Sequence, residues 1–167
     1  AGQEPVDSGE GITEQEVQPV DHQLFPRVVD EANVAMTLID PTGDSESVQY
    51  TYANQAFREM TGYTEREIHN CNCQFLTGPE TDDEKVTTVR QAIDNQESVT
   101  VELQTYHADS TKFWNRLTLT PITDDSGQAV SYLGTHRDIT VEKRRTSELI
   151  SERRQMSQAI NTLEDIF

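Results

Sequence analysis

Three β-rich segments follow one another in the C-terminal half of the chain and constrain its fold most strongly. They span residues 99–106, 112–121 and 130–137, and each is rich in β-branched, aromatic or apolar residues. Short polar turns at residues 109–110 and 124–127 separate them. Turns of this kind join neighbouring antiparallel strands, so the pattern predicts a three-stranded antiparallel meander.

The N-terminal half supplies two more strands and the first of several short helices. Residues 34–40 form a short apolar run closed by a turn at Pro41, and residues 48–52 alternate in polarity like a hairpin partner. Residues 54–60 then predict a brief helix that ends at Gly62.

Further helical segments lie between this hairpin and the meander. Thr64 and Glu67 are spaced as in a capping box, and residues 82–95 carry apolar side chains at helical spacing behind an acidic start. The order of elements predicts an α+β fold, with a five-stranded antiparallel sheet and short helices on one face. A pocket between sheet and helices is the natural place for a ligand.

The chain is strongly acidic, with 30 acidic and 13 basic residues and a formal net charge of −17. Such a surface repels nucleic acid and anionic membranes. Only three of the basic residues are lysines, a balance that resembles proteins of salt-loving organisms, in which concentrated ions screen self-repulsion. No apolar run reaches the length of a membrane span, and no signal segment is evident. We therefore expect a soluble protein in a high-salt cytoplasm.

Composition divides the chain into three regions. Residues 1–20 are acidic and poor in apolar side chains, so we expect a flexible or docking extension. Residues 21–140 form the folded domain, and residues 141–167 predict an amphipathic, charged helix. Leu149, Met156 and Leu163 recur there every seven residues, which fits either packing on the sheet or pairing in a parallel homodimer. The end of this helix looks like the start of another domain, so we expect a linker to a further signalling domain.

Cys73 is the most informative residue for predicting function. It lies just before an apolar pair and the Gly78-Pro79 turn, and the same stretch lacks the usual protein partners of a nucleophilic thiol. The reaction partner is therefore expected to be a bound cofactor. An isolated cysteine is also common as a small buried apolar residue. His69, Cys71 and Cys73 together offer too few ligands, at unusual spacing, for a zinc site, so no metal is predicted.

Several sequence blocks resemble the light-oxygen-voltage (LOV) branch of the PAS superfamily, over residues 48–140. The blocks are Tyr52-Ala53-Asn54-Gln55-Ala56-Phe57, Met60-Thr61-Gly62-Tyr63, Asn72-Cys73, Phe75-Leu76, Gly78-Pro79-Glu80-Thr81-Asp82, Phe113-Trp114-Asn115-Arg116 and Asp138-Ile139-Thr140. The resemblance implies non-covalently bound flavin mononucleotide (FMN) and blue-light sensing, in a multi-domain sensor of haloarchaeal type. It also implies that Cys73 forms a reversible adduct with carbon C4a of the excited flavin.

The same resemblance assigns cofactor-binding roles to other positions. Asn72 and Asn115 match amides that hold the flavin, and Arg90 matches an arginine that binds the terminal phosphate. Four apolar or aromatic residues fall where the family sandwiches the flavin ring: Leu103, Leu117, Leu119 and Tyr132.

Four further cofactor-binding positions depart from the family pattern. Gln74 stands in place of a second phosphate-binding arginine, Thr77 in place of a glutamine that contacts the ribityl chain, and Thr105 in place of an asparagine at the ring edge. His136 occupies the place of a glutamine that bonds flavin N5 and O4. Histidine can carry a proton, so we expect it to act as a base near N5 and to shorten the adduct lifetime. These departures also predict a pocket that either holds flavin less tightly or accepts riboflavin besides FMN.

Two classes of function other than light sensing fit the same sequence. The chain could be a PAS sensor that binds flavin or another small molecule without adduct photochemistry, or a dimerisation domain without a ligand. An autonomous enzyme is not predicted, because neither a phosphate-binding glycine loop nor a catalytic triad spacing is present. The colour of the protein and its response to blue light separate these alternatives.

Overall fold

Five strands and six helical segments make up the computed structural model, which describes residues 24–41, 48–69, 71 and 73–167. The strands are β1 (Ala35–Asp40), β2 (Gln49–Ala53), β3 (Val99–Tyr106), β4 (Lys112–Thr123) and β5 (Ala129–Asp138). The α-helices are α1 (Leu24–Glu31), α2 (Gln55–Thr61), α3 (Glu65–Ile68), α4 (Asp83–Asp94) and α5 (Thr140–Glu164), and a 3-10 helix spans Cys73–Leu76. The predicted extension, residues 1–20, lies outside the described residues.

The strands form one antiparallel sheet in the order β2-β1-β5-β4-β3. The meander β3-β4-β5 and the hairpin β1-β2 are both present, and β5 joins them by pairing with β1. The predicted five-stranded antiparallel sheet and α+β class are therefore confirmed. Placing β5 at the centre brings the C-terminal end of the domain next to its first strand.

The core lies between one face of the sheet, here called the inner face, and the short helices. Phe57 of α2, Leu119 of β4 and Tyr132 of β5 are completely buried there. The Tyr132 hydroxyl donates to the carbonyl of Ile93 at 2.8 Å, which ties β5 to α4. Burying three large side chains of this kind contributes about 2 kcal/mol each, and this term holds the helices to the sheet.

The ends of the short helices are fixed by local side-chain chemistry. The predicted capping box is confirmed, because Thr64 accepts from the Glu67 N–H while Glu67 accepts from the Thr64 N–H. Gly62 ends α2 with φ of 79°, a left-handed conformation that favours glycine. Asn54 was predicted inside the helix but is its N-cap, since its side chain accepts from the Phe57 N–H.

Helix α1 was not predicted from the sequence. It is held to the domain by hydrogen bonds with Asn54. The Asn54 side-chain amide donates to the carbonyls of Val29 and Val34, at 3.0 and 2.7 Å. Its oxygen accepts from the Met36 N–H at 2.8 Å. One buried side chain thus joins α1, β1 and α2, and sequence periodicity carries no signal for such a junction.

Helix α5 contacts the outer face of the sheet through its first turn. Lys143 pairs with Glu102 at 3.0 Å and lies over the Trp114 ring, 4.7 Å from its centroid. No residue from Thr140 to Glu164 is buried. The predicted apolar stripe is therefore exposed rather than packed on the sheet. Among the described residues, no helix is both long and apolar enough to cross a membrane.

Candidate functional site

Seven of the predicted site residues come together on the inner face of three neighbouring strands. Their burial follows from strand alternation, which points every second residue of β3, β4 and β5 toward the helices. Leu117 is half-buried, and the other six are buried. The set consists of Leu103, Thr105, Asn115, Leu117, Leu119, Tyr132 and His136. Buried amide and imidazole groups among aliphatic side chains are typical of ligand sites.

Asn115 and His136 form a buried polar pair at the centre of this face. In the β4-β5 register Leu117 lies opposite His136, so Asn115 is a diagonal neighbour of the histidine. The Asn115 side-chain nitrogen lies 3.1 Å from Nδ1 of His136. The Asn115 carbonyl oxygen Oδ1 is buried and has no hydrogen-bond partner among the described residues. A buried acceptor of this kind needs a donor, and a ligand N–H would supply it.

The second ring nitrogen of His136 contacts a residue that the sequence analysis missed. Nε2 lies 3.0 Å from the hydroxyl oxygen of Thr37 on β1, and both side chains are buried. The Phe57 ring covers the imidazole, with ring centroids 4.7 Å apart. Burial lowers the pKa of His136 from 6.5 to about 3, so the ring is neutral at physiological pH. A base with this pKa is weak, and the predicted base role of His136 stays a prediction.

This buried histidine gives a testable pH dependence of stability. Between pH 3 and 6.5 the unfolded chain binds a proton at His136 that the folded domain excludes, so this contribution to stability falls as the pH falls. Relative to a His136→Gln variant, the wild-type free energy of unfolding should drop by about 2 kcal/mol between about pH 7.5 and pH 5. Urea unfolding at both pH values measures this difference.

An exposed histidine supplies the control for that measurement. His69→Gln removes an exposed imidazole instead of the buried one, and its unfolding is measured at the same two pH values. A wild-type curve that runs parallel to the His136→Gln curve would contradict the burial of an uncharged His136.

The 3-10 helix that begins at Cys73 faces this surface from the helical side. Its Phe75 ring packs edge-on against Tyr50 and Tyr63, at centroid distances of 5.2 and 4.8 Å, and Leu76 is buried. These contacts fix the backbone of the segment. Asn72 lies outside the described residues, as do the side chains of Cys73 and Gln74.

The Gly-Pro turn anchors the other end of this segment to strand β3. A Cβ atom on Gly78 would lie 2.2 Å from the Tyr106 ring, so the close approach requires glycine. The Tyr106 hydroxyl accepts from the Glu80 N–H at 3.1 Å, and Thr81 donates to the Gln104 carbonyl at 2.7 Å. The turn therefore holds the Cys73 segment in place.

The remaining predicted residues flank this segment. Thr77, just after the 3-10 helix, and Arg90, on α4, are both half-buried. Cys71 is half-buried as well, and its thiol contacts the Glu67 carbonyl. Within the described part of the chain, no group of three or more histidine, cysteine, aspartate or glutamate side chains could hold a metal ion.

Comparison with known proteins gives a consistent family assignment. The family described as PAS domain matches residues 33–141. Phototropin-2 from Oryza sativa subsp. japonica is 34% identical over 152 residues, which cover 88% of this chain and 16% of that protein. The chain thus spans less than a fifth of this curated relative.

Two solved structures share both fold and sequence with the chain. One was solved in a study of a flavin analogue and the mechanism of the light-oxygen-voltage domain. It is 32% identical with a TM-score of 0.66, and the match covers 81% of this chain and 97% of that one. The other is the LOV domain of a blue-light activated histidine kinase from Erythrobacter litoralis, 34% identical with a TM-score of 0.60. That match covers 64% of this chain and 96% of the other.

Proposed function

Since the chain belongs to the LOV branch of the PAS domain family, we propose that it is a blue-light sensor module that binds flavin between its sheet and its short helices. Relatives named as phototropins and blue-light activated histidine kinases support the sensory role. The finer proposal is that Cys73 is the residue that reacts in the light.

The residues of the inner face fit a flavin. The isoalloxazine ring is a flat apolar body whose polar edge carries one N–H, at N3, between two carbonyl oxygens. Leu103, Leu117 and Leu119 offer an aliphatic surface of the kind that such a ring needs. The buried Asn115 Oδ1, without a partner among the described residues, is an acceptor suited to the N–H. This buried acceptor within an apolar surface is the observation that carries the proposal.

Bound flavin would supply blue-light absorption and an excited state that bonds reversibly through carbon C4a to a thiol. Cys73 would provide the sulfur and the proton. An unperturbed thiol, with a pKa of about 8.5, is mostly protonated near neutral pH, which suits a reaction that only light should start. Phe75 and Leu76 would hold the backbone of Cys73 in place while its side chain reacts.

An absorption spectrum of the flavin-reconstituted protein, recorded before and after a blue flash, tests the proposal. We expect three-peaked blue absorbance that bleaches on illumination and recovers in the dark. A stable yellow protein would instead support a flavin-binding PAS sensor without adduct photochemistry. A protein that stays colourless after reconstitution would contradict flavin binding altogether.

Phosphate recognition gives a separate prediction. We propose that Arg90 binds the FMN phosphate and that Gln74, Thr77 and Thr105 contact the flavin as neutral groups. Arg90→Gln should weaken FMN binding by roughly ten- to a hundredfold, because a charge-assisted hydrogen bond is lost. Riboflavin lacks the phosphate, so its affinity should change by less than about twofold. Titration by quenching of flavin fluorescence measures both affinities.

A matched variant removes the same charge elsewhere. Arg145→Gln, at an exposed position of α5, should leave both affinities unchanged. Equal weakening of FMN and riboflavin binding by Arg90→Gln would contradict a phosphate contact and indicate a general effect on the pocket.

We further propose that α5 passes the signal to a downstream domain of the same polypeptide, and that its exposed stripe pairs in a homodimer. The proposal is supported by exposed apolar side chains along the helix, Leu149, Met156, Ile160 and Leu163, and by the exposed Phe167 just beyond its end. Any catalytic activity, such as that of a histidine kinase, would then belong to the effector domain. The acidic composition agrees with a high-salt cytoplasm as the working environment.

A further inference from the structure

Arg153 interrupts the apolar stripe of α5 with a charge. The stripe consists of two rows of exposed side chains with heptad spacing, along the helix and just beyond its end. The first row is Leu149, Met156 and Leu163, and the second, four residues further along, is Arg153, Ile160 and Phe167. The two rows correspond to positions d and a of a coiled coil, in that order. Arg153 is the only charged member of either row, at a position that a coiled coil buries.

The residues beside these rows form no pair of opposite charges across a parallel dimer. In a parallel two-stranded coiled coil, each residue at position g faces a residue at position e of the next heptad on the other helix. For α5 these pairs are Arg145 with Ile150, Glu152 with Ser157, and Ala159 with Glu164. None of them joins an acid to a base, so the contacts that usually select the partner of a coiled coil are missing here.

Glu152 lies where it can neutralise Arg153 of a second copy. A side chain at position a inserts into a hole formed by four residues of the facing helix. For Arg153, in a parallel pair in register, this hole comprises Leu149, Glu152, Arg153 and Met156 of the second copy. The aliphatic part of the arginine would pack on the two apolar residues, and its guanidinium would reach the carboxylate. Because such a dimer has two-fold symmetry, the contact occurs twice.

Among the described residues, neither of these two charges has a partner within its own chain. The ion pairs that α5 makes there involve only Glu142 and Lys143, in its first turn. Arg153 and Glu152 are both exposed. Both side chains are therefore available to a second copy.

We propose that α5 pairs with α5 of a second copy in parallel and in register, and that Arg153 specifies this arrangement by binding Glu152 of that copy. The proposal rests on the homodimer proposed above and not on the flavin site. A shift of one heptad would place Arg153 beside Arg145 or Ala159 of the second copy, where it would face a like charge or no charge. An arginine buried there without a carboxylate would destabilise the shifted pair.

Reversing each charge in a separate chain tests the contact. Glu152→Arg places two arginines at each contact, and Arg153→Glu places two glutamates there. Each variant alone should form a homodimer at least about tenfold weaker than that of the wild type, because like charges face each other. An equimolar mixture of the two variants should recover the wild-type affinity, since each contact then joins arginine to glutamate. Sedimentation equilibrium of the full chain measures each affinity.

Arg154→Glu supplies the matched control, because it makes the same change of charge just outside the two rows. Its homodimer should stay within about twofold of the wild-type affinity. Circular dichroism verifies that the variants keep their helical content. Single variants that associate as tightly as the wild type, or a mixture that stays as weak as its components, would overturn the pairing of Arg153 with Glu152.

A cysteine crosslink tests the parallel orientation. In a chain whose native cysteines are replaced by alanine, Leu163→Cys should form an intermolecular disulfide under mild oxidation, because residues of this row meet their own copy in register. Gln158→Cys, on the opposite side of the helix, should not. A Leu163→Cys variant that does not crosslink, or a wild type that stays monomeric both in the dark and in blue light, would overturn the proposal. The bleaching of the flavin is measured separately, so a protein that bleaches but does not dimerise refutes the coiled coil alone.

Discussion

Replacing Cys73 with alanine is expected to abolish the reversible bleaching of the flavin by blue light while the protein remains yellow. In the proposed light reaction the sulfur atom of Cys73 bonds to the flavin, and alanine has no sulfur. The proposed flavin site consists mainly of other residues, on the inner face around Asn115, so the dark absorbance should persist. Visible spectra taken before and after a blue flash measure the effect, which is a complete loss rather than a change of rate.

Cys71 supplies the matched control. It is the only other cysteine of the chain, it is half-buried, and its thiol contacts the Glu67 carbonyl. Cys71→Ala should bleach and recover as the wild type does. Bleaching that survives in Cys73→Ala but vanishes in Cys71→Ala would show that Cys71 is the reactive cysteine and that the assignment to Cys73 is wrong.

Replacing Asn54 with alanine is expected to destabilise the domain by about 4 kcal/mol, since four hydrogen bonds to backbone groups are lost at once. Its oxygen accepts from the Met36 and Phe57 N–H groups, and its amide donates to the Val29 and Val34 carbonyls. The side chain is completely buried, so water cannot replace these bonds without opening the structure. Urea unfolding of the two proteins measures the difference in the free energy of unfolding.

Thr64 gives the comparison within the same protein, because it is also a helix N-cap but is exposed. Thr64→Ala should destabilise by about 1 kcal/mol, the usual effect of losing a cap. If Asn54→Ala destabilised no more than Thr64→Ala, the role of Asn54 as a junction of α1, β1 and α2 would be wrong.

The sheet and the helices that line it could be predicted because their signals are local. Alternation and polar turns fixed the meander, and the spacing of Thr64 and Glu67 fixed the start of α3. Helix α1 was missed because its position depends on contacts with Asn54, which lies more than twenty residues further along the chain. The placement of β5 between β1 and β4 likewise depends on pairing between distant segments.

The candidate site likewise contains residues that could be predicted from the sequence and one that could not. Leu103, Asn115 and His136 could be predicted because the sequence around them resembles that of a known family. The structure places all three on one buried face. Thr37 could not, because within the sequence it is only a polar residue in an apolar strand. Its contact with His136 spans 99 positions and requires a glycine on the neighbouring strand.

The proposed reaction of Cys73 with the flavin is best tested by an infrared difference spectrum of flavin-loaded Cys71→Ala, in which Cys73 is the only thiol. We expect its S–H stretching band to disappear under blue light and to return in the dark at the same rate as the visible absorbance. An S–H band that persists while the visible bands bleach would show that the Cys73 thiol does not react with the excited flavin.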